Sequence, residues 1–134
     1  MSDSKGDIRS LYGRISEHFS SAEVEKLQHC FHFPLLITSA EGVQMIPDAA
    51  AFRVSFGAML DGLHAQGFTH SKIERQQIRS FNPSCALTSV LWVRYRGEDV
   101  LERLGATYTL THSEGSWRVT AIIAHSPEDL LALE

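Results

Sequence analysis

Cysteine is scarce in this sequence, at 2 of 134 residues. A pair of thiols, Cys30 and Cys85, is no disulfide framework, so both are expected reduced, as small core residues. Charge of one sign is also scarce. Lys and Arg number 12 against 16 Asp and Glu, a net −4 with histidines neutral. The basic residues are scattered, which argues against nucleic acid and against an anionic membrane surface as partners. No apolar run approaches the roughly 20 residues of a membrane span. The opening MSDSKGDIRS lacks the apolar stretch of a signal peptide, so a cytoplasmic location is expected. The glycines fall in turns and caps, with no nucleotide-binding loop among them, and no cofactor is expected. Repeats, low-complexity tracts and linkers are absent, so residues 1–134 read as a single domain.

What remains is an ordinary globular composition, 43% hydrophobic and 21% charged, in a chain long enough to bury a core without metal. Ile8, Leu11, Tyr12, Ile15 and Phe19 recur at helical spacing and predict a helix over 5–19. Ser20-Ser21-Ala22-Glu23 has a capping-box pattern, with a short second helix expected after it. FHFPLLITS predicts a strand that Pro34 restricts to an edge or an irregular start. VQMI returns after the Glu41-Gly42 turn. Pro47 suits the first turn of a third helix, Asp48 its positive end, and Gly67 its stop. From residue 68 the period becomes two, predicting strands at 69–81, 85–95, 100–112 and 116–125. Helices first and a curved antiparallel sheet after is an α+β arrangement.

Turn lengths suggest a register. Tyr95 pairs with Val100, which sets Val93 against Glu102, Leu91 against Leu104 and Ser89 against Ala106. His112 pairs with Trp117, which sets Ala121 against Tyr108, Ile123 against Ala106 and His125 against Leu104. One face then carries Leu91, Val93, Leu104, Ala106, Tyr108, Ala121 and Ile123, with Glu102 and His125 as ionisable neighbours. The opposite face carries Trp92, Arg94 and Arg103.

The helix with Tyr12, the short second helix, FHFPLLITS–EG, the helix ending at Gly67 and above all YTLTHSEGSWRVTAII (108–123) resemble the nuclear transport factor 2-like superfamily, the SnoaL-like, cystatin-type α+β roll. The resemblance covers roughly 8–125. It implies a cone-shaped roll: a curved sheet wrapped around the N-terminal helices, with an internal pocket. It also implies frequent homodimers through the outer sheet face. The superfamily spans ketosteroid isomerase, scytalone dehydratase, polyketide cyclase, epoxide hydrolase and association domains, so fold does not fix function. The Asp-based set of ketosteroid isomerase is not matched, because the inward positions that can be placed offer Glu102, Tyr108 and His125 and no Asp.

On this reading His125 is the acid–base group, Glu102 its partner and Tyr108 a hydrogen-bond donor. The pocket is lined by Phe52, Phe56, Leu91, Leu104, Ala106, Ala121 and Ile123. Tyr12 either faces the pocket mouth or packs in the core. Trp92, Arg103 and Arg94 form the dimer interface. In HCFHFP, His29 and His32 could share a helical face, but no third ligand is near and catalytic sites generally use three. The stretch reads as a helix-to-strand junction, no metal is expected, and His32 remains a pocket-lining candidate. The expected protein is a cytoplasmic homodimer binding a small hydrophobic or amphipathic organic molecule. Any chemistry would be cofactor-independent proton transfer, dehydration, isomerisation or hydrolysis. The rival expectation is a non-catalytic association module acting through the outer sheet face.

Overall fold

Helical spacing at the start and period-two spacing after residue 68 divide the chain as the sequence predicts. The computed structural model describes residues 4–133; residues 1–3 and 134 of the expected domain lie outside the described residues. Helix α1 spans Ser4–Ser20 and buries Ile8, Leu11, Tyr12 and Ile15. Helix α2, Val24–Leu27, passes through a 3-10 turn, Gln28–Cys30, into strand β1, Phe31–Ser39. Strand β2 (Gly42–Ile46) and helix α3 (Ala49–Ala65) follow, then β3 (His70–Asn82), β4 (Cys85–Arg96), β5 (Asp99–Ser113) and β6 (Ser116–His125). A 3-10 turn at Pro127–Asp129 begins the C-terminal segment. No helix of the described residues is long and apolar enough to cross a membrane.

Three local expectations are corrected. The Ser20–Glu23 pattern is not a capping box: Glu23 occupies the N-cap of α2 with no side-chain cap bond. Ser20 Oγ instead accepts the Ser71 N–H at 3.0 Å, while Ser16 Oγ donates to the Ser71 carbonyl at 3.0 Å, tying α1 to β3. Pro47 precedes α3, whose N-cap is Asp48, accepting the Ala51 N–H at 2.9 Å. Cys30 is buried as expected, but Cys85 is exposed at the start of β4.

The six strands form one sheet in the order β2-β1-β6-β5-β4-β3. Pairing is antiparallel except between β1 and β6, which run parallel. Pro34 therefore lies in a strand with two neighbours. The chain accommodates it by an irregular start, the register shifting between Phe31 and Leu36. The helices pack on one face of the sheet. Tyr12, Phe52, Ile8, Leu11, Leu27, Leu35 and Leu60 are almost completely buried between them, each side chain of this kind contributing roughly 1.5–3 kcal/mol. Phe31, Phe52 and Phe56 are in mutual ring contact, the last two stacked at 4.1 Å.

Two bulges decide what faces the core. Tyr95 pairs with Val100, but Arg94 pairs with Glu102, so Leu101 is extra. Val119 pairs with Leu110, but Ala121 pairs with Thr109, so Thr120 is extra. Each bulge slips the expected register by one residue and exchanges the faces beyond it. Trp92 now opposes Leu104, Val90 opposes Ala106 and Thr88 opposes Tyr108 on the core face. Ile122 and Ala124 join them from β6. Leu91, Val93, Arg103, Ala121, Ile123 and His125 lie on the outer face.

Candidate functional site

The sheet curves around a cavity of about 340 Å³. Its floor is the core face of the sheet, with Trp92, Leu104, Ala106 and Tyr108. Its other walls are Ile15 and Phe19 of α1, Leu27 of α2, Phe31 and Ile37 of β1, and Ser55, Phe56 and Met59 of α3. The wall is overwhelmingly apolar, and its polar side chains are Gln44, Ser55, Ser71, Arg94 and the tips of Trp92 and Tyr108. Among the described residues, no Asp, Glu or His lines it.

Burial explains the state of the two phenols. Tyr108 is pushed up to about 12 by desolvation, against the lowering effects of the Trp92 hydrogen bond and the Arg94 charge. Tyr12 is also raised, first by burial, then by its neighbours Tyr108 and Cys30. Both remain neutral near physiological pH, as hydrogen-bond donors and not as bases. Trp92 Nε1–H donates to Tyr108 Oη at 2.7 Å. That leaves the Tyr108 proton free to donate, strengthened by the bond its oxygen accepts. Tyr12 packs its ring edge-on against Tyr108, with centroids 5.1 Å apart, and its own hydroxyl has no hydrogen-bond partner among the described residues.

Arg94 sits where β4 approaches α1. Its guanidinium lies 5.4 Å from the Phe19 ring centroid, and Nη1 donates to Glu102 at 2.8 Å. Glu102 points past the rim toward solvent, its side chain 48% exposed against 16% for Arg94.

The expected catalytic set is not brought together. Tyr108 faces the cavity, Glu102 pairs with Arg94 at the rim, and His125 lies on the other side of the sheet. There its Nε2 meets Thr107 Oγ1 at 2.7 Å and its Nδ1 meets the Ser126 carbonyl at 2.8 Å. A carbonyl only accepts, so Nδ1 carries the proton. With the ring neutral, Thr107 then donates to Nε2, Ser89 donates to Thr107 at 2.9 Å, and the Leu131 N–H donates to Ser89 at 3.1 Å. This relay fastens the C-terminal segment to the outer face.

Of the expected lining, Phe56, Leu104 and Ala106 border the cavity. Tyr12 and Phe52 lie behind that wall, fully buried. Leu91, Ala121 and Ile123 are on the outer face because of the bulges. His32 is exposed and borders a separate shallow depression with His29 and Phe33. Trp92 and Arg94, expected at a dimer interface, face inward; Trp92 is buried, with its indole N–H paired to Tyr108. Arg103 is on the outer face, paired with Glu74 at 2.6 Å. Sequence reasoning missed Ser71 and Arg94 as cavity residues. Tyr108 faces the cavity as expected, and Trp92 joins it through the hydrogen bond between their polar tips.

Known structures share this architecture. Aln2 from a Streptomyces species superposes with a TM-score of 0.77 at 10% identity, covering 96% of this chain and 94% of that one. A Nostoc punctiforme protein of unknown function with a cystatin-like fold gives 0.71 at 17% identity, covering 94% and 92%. The beta subunit of the benzoate 1,2-dioxygenase from Burkholderia mallei gives 0.66 at 11%, covering 89% and 87%. At these identities the likeness is one of fold. No curated protein matches the chain. A family model described as NTF2-like protein (DUF6841) matches residues 4–127, nearly the whole chain, and the protein belongs to that NTF2-like family.

Proposed function

We propose that this protein binds a small, largely apolar organic molecule in the cavity between the sheet and α3. The observation that carries the reading is an apolar space of about 340 Å³ with a few polar groups on its wall, the usual form of a small-molecule site. The wall supplies donors and no carboxylate or imidazole base among the described residues, which favours holding and orienting a ligand over abstracting a proton from it. Two unpaired cysteines suit the reducing cytoplasm we assign it to. Native mass spectrometry before and after denaturation tests the reading. The expected result is release of a molecule of defined mass, abolished by Ala106→Trp, which fills the cavity. Unchanged release from that variant would refute it.

A second reading, self-association through the outer sheet face, is favoured by one observation. Leu36 pairs with Met45, and Thr38 with both Val43 and Ile123. Four apolar side chains on three adjacent strands therefore share that face: Val43, Met45, Leu36 and Ile123 are 67%, 58%, 43% and 49% exposed. Such a patch suits a second copy of this chain. The same spectra report it as the mass of the intact assembly.

A further inference from the structure

The polar groups of the cavity are gathered at two places. Gln44 and Ser55, on β2 and α3, bond to each other at 3.2 Å. The others lie together on β3, β4 and β5. Ser71 and Arg94 are cross-strand partners, and Trp92, one residue pair along the same face, hands its N–H to Tyr108.

Three donors at this second place are free, and among the described residues no carboxylate lines it. Ser71 is 7% exposed, and its Oγ has no hydrogen-bond partner among the described residues. Its backbone N–H and carbonyl are both held by α1, so this buried hydroxyl is fixed at the cavity wall. Tyr108 has its oxygen occupied by Trp92 and its proton to give. Arg94 has five N–H donors, of which Glu102 engages a single nitrogen from the solvent side. Arg94 is also the one permanently charged lining residue among those described, and its charge reaches the Tyr108 hydroxyl.

We infer that the cavity's ligand is a carboxylic acid with a ring-bearing or otherwise apolar body, its carboxylate set against Arg94, Ser71 and Tyr108. The inference rests on the reading of the cavity as a small-molecule site and specifies its ligand class. A planar guanidinium matches a planar carboxylate. A neutral carbonyl would engage Ser71 and Tyr108 but leave the inner side of Arg94 uncompensated. An ammonium would meet the positive charge of Arg94 with no carboxylate on the wall, among the described residues, to balance it.

Isothermal titration near neutral pH with naphthoate, naphthalenemethanol and naphthylmethylamine tests this. Naphthoate is expected to bind about tenfold or more tighter than the alcohol, the range of a hydrogen bond to a charged group, with the amine weakest. Arg94→Gln should bring acid and alcohol to the same affinity. Arg94→Lys should restore only part of the preference, because charge returns without the fork. Ser71→Ala should weaken naphthoate several-fold. If acid and alcohol bind equally and Ala106→Trp removes both, the cavity reading stands and the carboxylate inference falls. If none of the three binds, or if Ala106→Trp leaves naphthoate bound, the cavity reading fails and the inference with it.

Discussion

Consider a single methyl group added at Gly105. This residue has room for no side chain: a Cβ would lie 2.5 Å from His125 Nδ1, 2.6 Å from its Cε1 and 2.7 Å from the Ser126 carbonyl oxygen. To admit it, the imidazole must swing away, which breaks its bonds to Ser126 and Thr107, and the backbone at 126 must shift. Overpacking of this kind costs about 1–3 kcal/mol, and each of the two lost hydrogen bonds adds about 0.5–1.5 kcal/mol. Gly105→Ala should therefore destabilise the fold by roughly 2–6 kcal/mol, a fall on the order of 10–20 °C in Tm for a chain of this length. His125→Ala alone should cost about 1–2 kcal/mol, chiefly by leaving the buried Thr107 hydroxyl with Ser89 as its one remaining partner among the described residues. In the double variant the ring is gone, so much of the clash is relieved and the losses should fall short of their sum by about 1 kcal/mol or more. Urea denaturation followed by circular dichroism gives the three values. Strict additivity, or a cost for Gly105→Ala below about 0.5 kcal/mol, would refute the packing argument. If the ring were instead a catalytic group facing the cavity, His125→Ala would change naphthoate binding; on the present geometry it should leave it unaltered.

Other consequences are more briefly stated. Tyr108 ionises near 12 in the folded chain and near 10 unfolded. Its contribution is therefore complete below pH 10 and is lost between 10 and 12, about 3 kcal/mol in all. Alkaline unfolding monitored by circular dichroism should steepen in that interval and be shallower in Tyr108→Phe. Ile123→Glu should convert the expected homodimer to a monomer in light scattering, with less than about 0.5 kcal/mol change in urea stability; a variant that stays dimeric would remove the outer sheet face from consideration. Asp48→Ala deletes the cap of α3 and should cost about 1 kcal/mol, read from the urea midpoint.

The elements were legible in the sequence because each carries its own local chemistry. The stripe Ile8, Leu11, Tyr12, Ile15 has helical spacing, and Gly67 ends α3 at φ +92. Pairing next to the hairpin turns was legible too: Tyr95–Val100 and His112–Trp117 stand as expected. What lay beyond the bulges was not. Strand β4 is apolar on both faces, with Ala86, Val90 and Trp92 on one and Leu87, Leu91 and Val93 on the other, so hydrophobic alternation could not reveal the slip. Leu101 and Thr120 carry no bulge signature of the glycine kind. The exchange of faces then turned Trp92 and Arg94 from expected interface residues into cavity residues, and carried His125 to the opposite side. Ser71 was invisible for another reason: its exposure is set by α1, far away in the chain, and not by its neighbours.

The hydrogen bond from Trp92 to Tyr108 also gives the molecule an optical sensor. There are two tryptophans; Trp117 is buried beside His112, outside the cavity lining, while Trp92 forms part of it. A molecule entering the cavity changes the polarity around one indole and leaves the other untouched. With Trp117 replaced by phenylalanine, the emission of the remaining indole would report occupancy directly, without a label and whatever the occupant's own absorbance at longer wavelengths.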